Sequence, residues 1–243
     1  MTPWKPAPRR LRWWVGGAEL DWFRSVGEYY LDQLASAGLK KTSRVLEIGC
    51  GCGRIAGPLA RFLGPKASYL GVDVRADLID DCRGRITPAD PRFRFKHVGL
   101  RHPFYNPKGR LDAARWRLST LGRFDFVILV SVLTHLDMEE TSHYLREIRT
   151  LLAPGGRAFI TFFLHSPKLL SLRRPRFDSL FPYRTSDARF NRELYAFSYP
   201  ERTVLDACAR AGLELALPVR RGDWSATSAP DWPHQDAVIL RAV

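Results

Sequence analysis

The sequence predicts an α/β fold, a mostly parallel β-sheet covered by helices on both faces, on the strength of three observations. Val45-Leu46-Glu47-Ile48 is a short apolar run that opens onto Gly49-Cys50-Gly51-Cys52-Gly53, the pattern of a buried parallel strand entering a tight turn. Apolar runs of strand length then alternate with segments of helical spacing as far as residue 164. Such alternation implies crossover connections, and therefore a parallel sheet. Finally, the strand-like runs Leu213–Val219 and Asp236–Val243 are joined by a short stretch holding Gly222, Pro230 and Pro233, so the last strand is expected to be antiparallel.

The elements follow in order. Residues 1–18 combine Trp4, Trp13, Trp14, Arg9, Arg10 and Arg12 with three prolines and read as an irregular arm, either packed on the domain or acting as a lid over an acceptor site. Residues 19–38 fit an amphipathic helix, with Leu20, Phe23, Val26, Tyr30, Leu31 and Leu34 near one face and Gly38 as its stop. The glycine turn opens a helix over Arg54–Leu63. Tyr69–Asp73 is the second strand, Ala76–Arg85 a helix, and Arg92–Val98 the third strand. Phe124–Val130 is apolar enough to be buried on both faces. Met138–Leu152 is a helix stopped by Ala153-Pro154-Gly155-Gly156, Arg157–Leu164 is the fifth strand, and Glu201–Ala211 is a helix ended by Gly212. This gives one domain over 19–243, with seven strands and two long insertions at 99–122 and 165–198, long enough to be functional.

Composition narrows the class. At 243 residues with 45% hydrophobic content, the chain can bury a real core. No apolar stretch approaches the roughly 18 residues that span a bilayer, and the charged, aromatic N-terminus lacks a signal segment, so a cytoplasmic protein is expected. Four cysteines (Cys50, Cys52, Cys82, Cys208) suggest no disulfide framework, and Cys50 and Cys52 read as small fillers of the glycine turn. The formal charge is +13, and 31 of the 38 basic residues are arginine. That charge suits anionic partners, but the arginines are spread along the whole chain, as in a solvated basic surface.

The glycine turn decides between two nucleoside-binding patterns. A dinucleotide fingerprint would place its third glycine at Arg54. The pattern present is acidic-x-Gly-x-Gly-x-Gly, from Glu47 to Gly53. With Asp73, a carboxylate at the tip of the second strand able to accept both hydroxyls of a ribose, it resembles motif I of the class I S-adenosylmethionine-dependent methyltransferases. Phe124–Leu136 and Leu151–Arg157 resemble that family's fourth-strand and post-helix motifs, so the resemblance covers residues 42–164. It implies a Rossmann-like seven-stranded sheet with an antiparallel final strand, and S-adenosylmethionine as cofactor with S-adenosylhomocysteine as product. It assigns Glu47 to the cofactor's ammonium, and Gly49, Cys50, Gly51, Gly53, Asp73, Val74, Leu100 and Ser131 to its contacts. Tyr105–Gly109 and Phe159–Leu164 are further similar to a bacterial branch associated with sugars and cell-surface glycans. One position departs from the pattern: Gly99 stands where the family usually has an acid for the adenine amino group.

Methyl transfer to a hydroxyl needs alignment and a base. His135 follows the fourth strand at the edge where parallel sheets bind ligands, and an imidazole accepts protons near neutrality. It is the expected base, the alternative being a structural role at the start of the next helix. His102, Tyr105, Asn106, His165 and Trp224 are expected on the acceptor side, with Tyr183, Tyr195 and Phe197 as further rings able to stack on a sugar. Asp137 with His102 or His165 would supply ligand types for a divalent cation, but no metal is predicted. The expected function is O-methylation of a saccharide or small polar metabolite. Methylation of RNA is less favoured, because no RNA-binding module is recognisable, and a non-catalytic cofactor-binding protein is a third expectation. No oligomeric state is implied.

Overall fold

The computed structural model describes residues 4–165, 181, 183–184, 188–193, 195–224 and 234–243. They pack as two compact units, one of Met1–Trp116 with Phe124–Ile128, the other of Arg117–Arg123 with Leu129–Val243.

The first unit begins with α1 (Arg9–Arg12), a single-turn 3₁₀ helix (Trp13–Val15) and α2 (Leu20–Ser36). The arm expected to be irregular is therefore partly helical. Pro8 sits at the N-cap of α1 and Gly16 closes the 3₁₀ turn in the left-handed region, so the helix formers Arg9–Arg12 lie between two natural boundaries. α2 buries Phe23, Val26, Tyr30 and Leu34, the stripe its spacing predicts. Next come β1 (Arg44–Ile48), α3 (Ala56–Phe62), β2 (Ser68–Asp73), α4 (Ala76–Arg85) and β3 (Phe93–His97). The strands of this unit lie in the order β3-β2-β1-β4, where β4 is Phe124–Leu129. β1 and β2 are parallel, as are β2 and β3. Because β2 and β4 flank β1 on opposite sides, the strand order reverses at β1, and ligands of open α/β sheets bind outside the carboxyl ends at such a switch point. Arg44 fixes β1 by a two-pronged bond to the Asp125 carboxylate at 2.8 and 3.1 Å.

The second unit carries α5 (Met138–Leu151), β5 (Leu152–His165), β6 (Tyr183–Arg184), β7 (Arg189–Asn191), β8 (Ala196–Pro200), α6 (Glu201–Arg210), β9 (Leu213–Leu215) and β10 (Asp236–Ala242). β10 is antiparallel to both β5 and β9, as expected of a final strand. Three differences from the sequence reading have local causes. β9 is short because Pro218 has no N–H to continue a ladder. The 153–156 stop lies inside β5, since the chain passes from α5 directly into extended backbone at Leu152. The insertion at 165–198 adds three short strands, with β8 parallel to β5 and β7 antiparallel to β8. The result is a mostly parallel α/β sheet with an antiparallel final strand and helices around it.

One residue shows how tightly the ligand edge is built. Gly71 lies in the middle of β2, and a Cβ there would meet Cys50 Sγ and Phe95 Cδ1 at 2.8 Å. The glycine turn thus rests on the bare backbone of β2. Gly71→Ala is expected to lower stability by about 1–3 kcal/mol through overpacking. Urea unfolding should show a lower midpoint with an unchanged m value, and an unchanged midpoint would mean that the turn is free to move.

Candidate functional site

The turn after β1 is shaped by glycines. Gly49, Gly51 and Gly53 take φ of 75°, 55° and 81°, a region that costs other L-residues about 1–2 kcal/mol. The amides of Gly49 and Cys50 both donate to the Val72 carbonyl, at 2.8 and 3.1 Å. One residue further on, the Gly51 amide donates to Asp73 Oδ2 at 2.8 Å, while the Arg75 amide donates to Asp73 Oδ1 at 2.9 Å. Burial pushes the Asp73 carboxyl above its ordinary pKa, and these amide bonds pull it back. The carboxylate is therefore fixed in orientation at the tip of β2.

Glu47 is 3% exposed and accepts a 2.5 Å bond from the Tyr69 hydroxyl. Burial pushes its pKa up to about 8. The Tyr69 bond and the charge of Arg54 oppose that shift, and Asp73 adds to it. An acid held this close to neutrality gains most from a cation placed beside it. Cys50, Cys52 and Cys82 are buried, and burial lifts the Cys52 thiol to about 12. The three thiols are thus held inside the fold as un-ionised groups.

The arm covers this turn. Ala7 and Leu11 pack with Cys52, Leu78 and Phe23, and Trp14 and Val15 pack against the same cluster. Arg54 Nη1 donates to the Val15 carbonyl. Arg85 bridges the Lys5 and Cys52 carbonyls at 2.8 and 2.9 Å, and the guanidinium of Arg75 stacks on the Trp14 ring, 3.6 Å from its centroid. A Cβ on Gly51 would lie 2.3 Å from Val15 Cγ1. The bare face of Gly51 thus admits the arm itself, and the arm packs on the domain at the glycine turn.

The loop after β3 adds its own side chains. His102 and Asn106 brace it from within: His102 Nδ1 accepts from the Phe104 and Tyr105 amides, and Asn106 Nδ2 donates to the Leu100 carbonyl. Tyr105 lies near enough to Asp73 and Arg75 to feel both charges, and burial lifts its hydroxyl to about 12. It lies at the Asp73 end of the first unit. Leu100 is buried, Val74 is half buried with its carbonyl 3.1 Å from His97 Nε2, and a Cβ on Gly99 would touch nothing. Open space thus remains where the family pattern has an acid.

The second unit holds the other expected residues. Ser131, at the carboxyl end of β4, has φ 58°, and its amide donates to Thr161 Oγ1 at 2.8 Å. Strain of this kind at a strand end is a mark of functional positions. His135 Nδ1 lies 2.8 Å from the Tyr195 carbonyl. A carbonyl only accepts, so Nδ1 carries the hydrogen. Asp137 caps α5 in a reciprocal capping box with Glu140, so it serves the helix rather than a cation. His165 is buried, 2.8 Å from Ser198 Oγ, and desolvation with the charge of Arg189 pulls its pKa down to about 4. Trp224, 1% exposed, packs on Phe163 and Phe181 and donates to Asp236 Oδ2 at 2.7 Å. Both were expected to face an acceptor, and both are core residues, because each has a polar partner inside. Tyr195 and Phe197 join Phe190 and Tyr199 in a row of rings. The side chain of Tyr183 lies outside the described residues.

Comparison with known proteins bears on the fold. The family model described as a methyltransferase domain matches residues 46–158. An arsenite methyltransferase from Aquipseudomonas alcaligenes is 32% identical over 133 residues, 55% of this chain and 36% of that protein. A ubiquinone biosynthesis O-methyltransferase from Aeromonas salmonicida is 26% identical over 159 residues, 65% of this chain and 59% of that protein. The chain thus spans less than two thirds of the length of either relative. Magnesium protoporphyrin IX methyltransferase from Synechocystis PCC 6803, with bound S-adenosylhomocysteine, superposes with a TM-score of 0.56 at 18% identity, over 90% of this chain and 83% of that one.

The fold is that of the class I S-adenosylmethionine-dependent methyltransferases.

In this methyltransferase fold, Tyr69, Arg54, Arg75 and Val15 surround the glycine turn but were not singled out from the sequence. Tyr69 was foreseeable only with the β1–β2 register, which pairs Glu47 with Gly71 and makes Tyr69 its diagonal neighbour. Arg54 adjoins the motif directly.

The neutral-leaning Glu47 gives a pH prediction. Its folded pKa, about 8, lies above the ordinary carboxyl value, so the ligand-free fold holds a proton that the unfolded chain releases. The stability this confers is complete below about pH 4 and falls as pH rises toward 8, at up to about 1.4 kcal/mol per unit. The wild type should therefore lose stability relative to Glu47→Gln between pH 5 and 8 in urea titrations. A constant difference over that range would show Glu47 to be ionised in the folded protein.

Proposed function

We propose that this chain binds S-adenosylmethionine over the glycine turn and transfers its methyl group to a hydroxyl of a saccharide or other small polar acceptor. The observation that carries the reading is the pair of bonds from the Gly51 and Arg75 amides to Asp73. They hold a carboxylate rigidly beside a turn of bare backbone, the arrangement that suits a ribose diol. Glu47 answers the ammonium, Gly49, Cys50, Gly51 and Gly53 form the floor, and Val74 and Leu100 border the base, beside the open space at Gly99. Ser131 is proposed as a further contact from the end of β4. When bound, the sulfonium supplies an activated methyl group.

For the acceptor, His135 is the proposed base. Its Nδ1 is bonded to the Tyr195 carbonyl, which fixes the orientation of the ring, and an imidazole is a fit acceptor for a hydroxyl proton. The dispersal of the arginines along the chain supports a small acceptor over RNA. Several arginines are committed within the fold: Arg12, Arg85 and Arg92 all bond to backbone carbonyls, and Arg44 pairs with Asp125.

The two residues should separate kinetically. Asp73→Ala should weaken S-adenosylhomocysteine binding about 10–100-fold, the scale of losing hydrogen bonds to a charged group. His135→Ala should leave that affinity unchanged and lower kcat on a methylated acceptor about 10²–10⁴-fold. Calorimetry with S-adenosylhomocysteine, and a labelled-methyl screen across glycans, small metabolites and RNA, read these out. Undiminished affinity in Asp73→Ala, or transfer to RNA alone, would overturn the reading.

A further inference from the structure

Among the described residues five large apolar side chains stand exposed, and three of them, Trp13, Phe104 and Leu111, belong to the arm and to the loop after β3. Trp13 is 61% exposed and Phe104 42%. Both rest on one ring. The half-buried Trp14 has its centroid 5.0 Å from that of Trp13 and 6.1 Å from that of Phe104. Trp14 is itself anchored, packed on the cluster that includes Leu11 and Cys52 and stacked with Arg75. The loop returns Leu111 to Arg101, whose amide donates to the Leu111 carbonyl at 2.8 Å. Single exposed apolar residues are ordinary, but rings gathered on a common anchor mark a contact surface.

The same two segments carry one sign of charge. Residues 1–18 hold Lys5, Arg9, Arg10 and Arg12, residues 99–111 hold Arg101, Lys108 and Arg110, and neither stretch holds an acid. Arg12 is engaged with the Ala7 and Ala18 carbonyls, and Arg9 with Glu19. Arg10, Arg101, Lys108 and Arg110 are exposed, and no acid among the described residues pairs with them. Exposed rings bordered by long cations suit a medium that is apolar at depth and anionic at its surface: tryptophan seats its amphipathic ring at the headgroup level, and the cations meet lipid phosphates.

We propose that Trp13, Phe104 and the cations beside them form a docking surface for an anionic lipid bilayer. The contact is peripheral, because no described helix is long and apolar enough to cross a membrane. Lipid suits the surface better than RNA. The Trp13 and Phe104 rings stand at 87° and 65° to Trp14, a wedge rather than a row of parallel faces on which bases stack, and Leu111 has no π face to offer a base. Docking of this kind needs no cofactor, so it stands or falls apart from the methyl-transfer reading.

The test is co-sedimentation with vesicles of phosphatidylcholine alone and with vesicles in which about one third of the lipid is phosphatidylglycerol, the charged component that attracts basic segments. Wild type should bind the charged vesicles at least about tenfold more strongly than the neutral ones. Arg10→Glu should lower binding to the charged vesicles about 10–30-fold, at roughly fivefold for each unit of charge. Trp13→Ala combined with Phe104→Ala should lower it about tenfold through lost apolar contact. Two controls in the second unit, Arg146→Glu and Leu215→Ala, alter exposed residues of the same kinds and should stay within about twofold, since charges farther than a Debye length from the lipid are screened. An unchanged urea midpoint in Arg10→Glu separates lost docking from lost folding. Equal binding to the two vesicle types, no binding by wild type, or an equal loss in Arg146→Glu would overturn the proposal. So would binding of a short single-stranded RNA that the arm variants weaken by the same factor as vesicle binding, because the surface would then be a general polyanion site.

Discussion

The 2.8 Å bond from the Gly51 amide to Asp73 is the constraint on which the site depends. It joins the middle of the glycine turn to the end of the neighbouring strand, so neither the floor nor the side wall of the site can move alone. The bond forms only because Gly51 adopts φ 55°, which turns its amide toward β2, and because the Val72 carbonyl takes the two amides before it. The sheet supplies the rest: β1 and β2 run parallel and in register, so the turn after one strand meets the end of the other. A carboxylate fixed this way has little conformational freedom left to lose to any ligand, which is what preorganisation means in energetic terms.

Around that link the chain uses arginine as a clasp. Arg54 reaches Val15, Arg85 joins Lys5 to Cys52, Arg92 gathers the Leu63 and Gly64 carbonyls, and Arg12 closes the arm on Ala7 and Ala18. The guanidinium suits this work because its several donors lie in one rigid plane. These few arginines are internal bracing while most of the others described are exposed, and the arm that covers the turn is held largely by these bonds and the apolar cluster beneath them. The formal charge of +13 does not by itself specify a polyanionic partner.

The parts of this molecule that are local were readable from the sequence. β1, the glycine turn and the second-strand acid are contiguous patterns, and each follows from a steric or periodic rule that needs no knowledge of distant residues. The parts that depend on long-range placement were not. Trp224 stands in a loop-like stretch, and only the fold brings Asp236 to its Nε1. His165 looks exposed at a strand end until β8 adds beside it and supplies Ser198. The arm reads as irregular because a four-residue helix between Pro8 and Gly16 is too short to show a period. His135 is intermediate: its place after β4 was legible, but the Tyr195 carbonyl that sets its tautomer comes from sixty residues away.

The central claim is that S-adenosylmethionine is held at the glycine turn beside Asp73. Hydrogen exchange of backbone amides, followed by mass spectrometry with and without saturating S-adenosylhomocysteine, tests it most directly. The account predicts slower exchange in two separate stretches, the turn at 49–55 and the arm at 11–17, because the ligand braces the first and Arg54 carries the effect to the second. Protection confined to other segments, or unchanged exchange at the turn under conditions of saturation, would contradict it.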